Sequence, residues 1–280
     1  VLCAIAILMT ACTPAGASVY KRAAEARHLI AALQTQFSLA VAAGDRAVMT
    51  ETDEGSRQFA READAARAQL KRTASQLSGM LRDLEYGDES KLLDEFQGKF
   101  AAYEVLDHNI LELAVENTNL KATRLAFADG KEEADAFKAA LSTLTNAATG
   151  TEAWHIRALA LAAASAVGEI QVLEAPHIAE ASDAAMTRTE QQMADSEAAA
   201  RSSLTKLADL IAREQLEPAR AALDRFVRVN AEIVALSRRN TNVRSLAMTL
   251  GQKRIIIATC RQSLDALSEA LTTRLSKPTR

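Results

Sequence analysis

Two Glu-x-x-His words stand in this chain of 280 residues, Glu152-Ala-Trp-His155 and Glu174-Ala-Pro-His177. A glutamate and a histidine three residues apart share one helix face. Two such words on two helices, with a glutamate from each of two more, are how a helical bundle holds a di-iron centre. Here both words fall on one helical stretch, and their histidines are 177 − 155 = 22 residues apart. That is about 33 Å along a helix, too far to share a metal cluster. His28 and His108 have no ligand partner at a useful spacing. The chain has no Cys-x-x-Cys-His word for covalent haem, no glycine-rich phosphate loop, no serine elbow and no Cys-His arrangement. No metal, no cofactor and no enzymatic activity are expected.

A second pattern repeats more fully. Residues 113–121 read LAVENTNLK and residues 236–244 read LSRRNTNVR, so the Asn-Thr-Asn word recurs at a spacing of 240 − 117 = 123. Around it Tyr103 aligns with Phe226, Leu106 with Val229, Ile110 with Ile233, Phe127 with Leu250 and Leu141 with Leu264. An earlier segment repeats at a spacing of 130, with Asp53 on Asp183, Leu77 on Leu207 and Met80 on Leu210. The offsets differ by 130 − 123 = 7 residues, one heptad, which preserves the facing of a helical seam.

The elements that carry these words are helices. Apolar residues step by three and four through Tyr103, Leu106, Ile110, Leu113, Asn117 and Leu120. The same steps run through Phe226 to Val243, and Leu236, Val243, Leu250, Ile257, Leu264 and Leu271 continue by sevens. Breakers are few: Gly87 in YGDES, Gly150 in ATGTEA and Pro218 in REQLEP. Pro176 is expected to kink its helix and not to end it. The pattern predicts four helices at roughly 18–85, 89–148, 151–212 and 216–275, each about 90 Å long. The predicted fold is all-α, an elongated antiparallel four-helix bundle built from two homologous helical hairpins, residues 18–148 and 151–275. TDEGS near Gly55 and the glycine at 130 are candidate breaks, which would divide the bundle into two stacked halves.

Asn117 and Asn240 fall on the apolar stripe, where leucine is expected. Folding about Gly150 sets Asn117 opposite residue 2 × 150 − 117 = 183, which is Asp183. By the repeat, Asp53 also approaches Asn117, and Asp183 pairs with Asn240. Arg124 faces the neighbourhood of His177, Thr118 and Thr241 flank the layer, and Arg244 reaches its edge. Two readings stay open. A buried polar layer excludes slipped registers, because a slip leaves amides unpaired. On that reading alone, leucine at both Asn117 and Asn240 would be neutral or stabilising. The same residues, Asn117, Asn240, Asp53, Asp183, Arg124, Arg244 and His177, also suit a pocket for a small polar ligand such as an amino acid or carboxylate.

Composition agrees with long helices and against a sheet-rich enzyme: aromatics are 4%, with 10 Gly and 4 Pro. The net charge is −3 with both signs interspersed, so nucleic acid is not an expected partner. The start, VLCAIAILMTAC, is apolar and uncharged, too short to span a bilayer as a helix but fitting the core of an export signal. Without an initiator Met or basic leader it reads as truncated. Cys12 after Ala11 is a candidate lipidation site; AGAS at 15–18 offers ordinary cleavage instead, and an uncleaved anchor is the third option. Residues 1–17 are therefore assigned to a signal and tether, and residues 18–280 to the bundle. Cys260 is then the one cysteine of the mature chain and is expected to be a small buried apolar residue.

The paired stretches ENTNLKATRLAF and VNAEIVALSRRNTNVRSLAMTLGQKR, on antiparallel heptad helices behind an export signal, resemble the extracytoplasmic four-helix-bundle sensory modules of bacterial chemoreceptors, the methyl-accepting chemotaxis proteins. The resemblance covers roughly residues 18–275. It implies a bundle that binds small molecules or periplasmic partners between its helices and signals across the membrane. After LTTRLSKPTR no second transmembrane helix or signalling hairpin follows, so a truncated receptor or a stand-alone bundle without its own output domain is expected. The expected partners are a small polar metabolite or periplasmic protein, the membrane through an N-terminal lipid or signal anchor, and a second copy of the chain in a homodimer. The expected location is the periplasm or cell envelope. A structural envelope lipoprotein with no small-molecule ligand is the alternative.

Overall fold

A computed structural model of the chain describes residues 14–276, with side chains from Tyr20 onward. The candidate signal, including Cys12, lies outside the described residues. Those described are all-α and contain no strand. The helices are α1 (Pro14–Met49), α2 (Asp53–Asp83), α3 (Gly87–Glu116), α4 (Thr118–Leu125), α5 (Lys131–Ala147), α6 (Ala153–Ala179), α7 (Asp183–Leu207), α8 (Arg213–Arg239), α9 (Thr241–Met248) and α10 (Arg254–Ser276). Wide π-helical turns, π1 (Ala126–Gly130) and π2 (Thr249–Lys253), join α4 to α5 and α9 to α10.

Each of the four long helices expected from the pattern is therefore interrupted. Between α1 and α2 the chain folds back: Arg22 pairs with Asp83 and Arg46 with Glu62, so one number falls as the other rises, the mark of antiparallel packing. Ser56 Oγ donates to Ala47 O at 3.1 Å and ties the new helix to the old one. The third predicted helix folds back in the same way. Pro176 is accommodated, but α6 ends three residues later, and Ser182 caps α7 from an extended conformation, its Oγ accepting from Ala185 N at 3.4 Å. The apolar pattern beyond Pro176 belongs to this returning helix. At the α5–α6 turn Gly150 takes a φ of +79°, which glycine adopts without strain.

The chain forms two compact units. Among the described residues the first comprises 14–50, 54–112 and 248–276; the second comprises 51–53 and 113–247. In the first unit Lys71 pairs with Glu104 across α2 and α3, Gln34 with Asp265 across α1 and α10, and Arg274 with Glu89 across α10 and α3. Its core holds Leu33, Leu70, Leu77, Leu93 and Leu267 around a ring cluster in which Phe37 meets Phe96, Phe100 and Tyr103 edge-on. In the second unit Arg225 reaches Glu133 across α8 and α5, Lys138 reaches Gln171 across α5 and α6, Ser196 reaches Glu169 across α7 and α6, and Arg201 reaches Asp224 across α7 and α8. Its core is built on Phe137, Leu141, Val167, Ile170, Leu216, Leu223 and Phe226.

The internal repeat extends to the helix ends. α1 and α6 end 179 − 49 = 130 residues apart, and α2 and α7 begin 183 − 53 = 130 apart. α4 and α9 begin 241 − 118 = 123 apart, and the π-turns end 253 − 130 = 123 apart. Each π-turn adds one residue to a helical turn, so the heptad register slides there. Phe127 and Leu250, expected on the core stripe, are consequently exposed, while Gly130 and Lys253 turn inward.

Candidate functional site

The Asn-Thr-Asn words come together in the second unit. Asn117 and Asn240 have left-handed backbones, with φ of 53° and 54°, and so end one helix and begin the next. Asparagine is among the few residues that enter this region readily. The break leaves the first N–H groups of α4 and α9 without partners in their own helices. Each word caps the other. Thr118 N donates to Thr241 Oγ1 at 3.0 Å and Thr241 N to Thr118 Oγ1 at 3.2 Å. Asn119 N donates to Asn242 Oδ1 and Asn242 N to Asn119 Oδ1, both at 3.1 Å. The amides complete the set: Asn242 Nδ2 to Asn117 Oδ1 and Asn119 Nδ2 to Asn240 Oδ1, each at 2.8 Å. Asn119 Nδ2 also reaches Ile178 O, and Asn240 Nδ2 reaches Glu180 O.

Of the residues predicted for a polar layer, Asp53, Asn117 and Arg124 meet. Asn117 Nδ2 donates to Asp53 Oδ1 at 3.1 Å, and Arg124 Nη2 bonds both Asp53 oxygens at 3.0 Å. Asp183 does not pair with Asn240. It is largely exposed, with Arg238 at 3.8 Å, because the amide of Asn240 is taken by the carbonyl of Glu180. Arg244 is also exposed and lies outside the network. His177 is 0% exposed and sits between Ser237 Oγ and Glu190 Oε1, each at 2.9 Å. Hydrogen bonds from Arg238 and then His177 hold the Glu190 carboxyl below the usual carboxylate range, against the opposing effect of burial. Ser, His and Glu in series resemble a hydrolytic triad, but Ser237 is fully buried and its hydroxyl donates to His177 O. A nucleophile so enclosed cannot meet a substrate.

The first unit buries a charge cluster that periodicity did not reveal. Lys253, 0% exposed, places Nζ 2.9 Å from Asp107 Oδ1 and 3.0 Å from Asp45 Oδ1. Arg67 pairs with Asp107 and Asp64. A Cβ on Gly44 would lie 2.8 Å from Lys253 Nζ, so glycine makes room for the ammonium. Burial, then the Asp107 carboxylate, raises the Tyr103 hydroxyl far above its ordinary pKa and keeps it protonated.

The second unit carries a groove of about 670 Å³ between α4–π1–α5 and α6. Phe127 and Val172, each 73% exposed, line it, with Lys131, Lys138, Ile178 and Glu174. Lys131 pairs with Asp135, and Lys138 donates to Gln171. Glu174 is 4% exposed and its Oε1 has no hydrogen-bond partner among the described residues. Burial pushes its carboxyl up to about 7. Sequence reasoning had named Glu174 only as half of a metal word. A signal was present in the self-alignment, which sets Glu174 on Gly44 and Lys253 on Gly130 at the two offsets.

Among the described residues no group of three or more His, Cys, Asp or Glu is placed to hold a metal ion. Cys260 is buried, and burial raises its thiol to about 11. Within that described set α6 alone is long and apolar enough to cross a membrane, and Ile156, Ala160, Ala163, Val167 and Ile170 on it pack into the second core. Compared with known proteins, the sequence matches no family model and no curated protein.

Proposed function

We propose that the chain is a non-enzymatic, extracytoplasmic sensory module that binds a small polar molecule, its units each closing as an antiparallel four-helix bundle. The observation that carries the ligand-binding reading is the groove beside α6. It combines an apolar wall with a buried carboxyl that has an unsatisfied oxygen, and such groups ordinarily find partners. The mutually capped Asn-Thr-Asn words support a different role for the polar layer. Their amides and hydroxyls are engaged with one another and with backbone carbonyls, which suits a register lock. Attachment to the envelope would come through Cys12 or an uncleaved signal, and Cys12→Ser should release a lipidated protein from the detergent phase.

The test is a thermal-shift screen of amino acids, organic acids and amines against the full chain and a Val172→Arg variant, which fills the groove mouth. A ligand of the folded state raises the melting temperature by mass action. Stabilisation of the wild type that Val172→Arg abolishes is expected. Should no compound move the wild type, the structural-lipoprotein alternative takes its place.

A further inference from the structure

We propose that the groove of the second unit receives a small organic cation with a primary ammonium head, and that Glu174 is its counter-ion. The inference rests on the ligand-binding reading above and names its ligand class. The comparison that carries it is internal to the chain. In the first unit Lys253 supplies an ammonium that lies over Gly44, hydrogen-bonded to Asp45, ion-paired with Asp107 and 6.0 Å from the centre of the Tyr103 ring. The offsets of 130 and 123 give each of these residues a counterpart in the second unit. Lys253 becomes Gly130, Gly44 becomes Glu174, Asp107 becomes Asn230 and Tyr103 becomes Phe226. The cation is missing from the second set, while an acid has been gained.

What remains there is a deficit of donors. Glu174 lines the groove, its Oε1 is buried without a hydrogen-bond partner among the described residues, and an ionised carboxylate only accepts. A carboxylate or phosphate ligand would add acceptors to acceptors. An ammonium brings three donors and the charge that an ionised Glu174 lacks. Phe127, Val172 and Ile178 offer the alkyl portion an apolar wall. The two lysines lining the groove do not dominate its charge, since Lys131 is bonded to Asp135 at 2.5 Å. With Glu174 ionised, two positive groups face two negative ones. Ala175, which also lines the groove, is the counterpart of Asp45. The second carboxylate of the Lys253 cradle is thus one substitution away.

The experiment is calorimetric titration of the full chain at pH 8 with n-butylammonium, n-butyrate and tetramethylammonium, the last having charge but no N–H. Binding of n-butylammonium is expected, with neither of the others matching it. Glu174→Gln should weaken it roughly ten- to a hundred-fold, the loss of one charge-assisted hydrogen-bonding partner. Ala175→Asp should tighten it. If butyrate binds and butylammonium does not, or if Glu174→Gln binds the amine as the wild type does, the assignment is overturned, and loss of the thermal-shift response in Val172→Arg distinguishes this outcome from failure of the groove itself. If no probe binds and the screen is also silent, the ligand-binding reading falls with it.

Discussion

Lys253 offers the sharpest test of how the first unit is held together. Lys253→Met keeps an unbranched chain of similar reach and removes only the ammonium. Asp107, fully buried, then retains Arg67, and Asp45, whose side chain is 46% exposed, can turn to water. Removing one partner of a buried ion pair costs about 3–5 kcal/mol when the other is left uncompensated. With Arg67 still in place the lower end applies, about 3 kcal/mol. For a chain of this size each kcal/mol moves the melting temperature by about 2–4 °C, so a fall of about 6–12 °C is expected by circular dichroism at 222 nm. Adding Asp107→Asn breaks the remaining buried pair and leaves Arg67 only the exposed Asp64, so the loss should deepen. An unchanged or raised melting temperature in Lys253→Met, or a double variant more stable than the single, would refute this account.

Three further outcomes follow from the geometry. Gly44→Ala drives a methyl to 2.8 Å from Lys253 Nζ and 3.0 Å from Asp107 Oδ1, and should cost about 1–3 kcal/mol in urea unfolding, with the loss relieved in a Lys253→Met background. Asn117→Gly should cost about 1 kcal/mol through its lost amide bonds, and Asn117→Leu about 1–2 kcal/mol more because leucine, unlike glycine or asparagine, does not enter the left-handed region at φ 53° readily; if leucine proves the milder change, the left-handed break is not what the asparagine is for. Glu174 is raised from 4.5 to about 7 on folding, so the folded chain keeps a proton that the unfolded chain has released between those values. Stability should therefore fall as pH rises through that window, by an amount approaching about 3 kcal/mol at pH 8. Glu174→Gln should match the wild type at pH 4 and exceed it at pH 8. Lys131, Asp135 and Lys138 line the same groove and are kept in both proteins, so the difference isolates Glu174; equal pH profiles would count against the buried-carboxyl description.

The helical class and the repeat were legible because both copies keep their apolar residues at matching positions, and Tyr103 and Phe226 are both core residues. The breaks were not. Around Thr50–Thr52 and Glu180–Ser182 the apolar pattern resumes in nearly the same phase, so a helix that turns back looks like one that continues. The π-turns escaped because apolar residues still recur at sevens across them, at Val243, Leu250 and Ile257, while the buried register slides; Phe127 and Leu250 at the surface betray them. Asn117 and Asn240 are buried and hydrogen-bonded, whereas the periodicity reads them only as amides standing where leucine belongs. Their left-handed backbone, a property of asparagine as much as its amide, was the missing term. Asp183 was misjudged because the pairing argument treated α6 and α7 as one rod.

The division of the repeat between the units has a consequence for the order of synthesis. The second unit draws on residues 51–53 and 113–247, so it is complete before α10 emerges from the ribosome. The first unit contains the earliest described helices, yet it needs α10, the last of those described, to cover Phe37, Leu70 and Leu93 with Leu264, Leu267 and Leu271. The unit begun first is therefore finished last. At about 5–20 residues per second its apolar face waits several seconds or longer for α10.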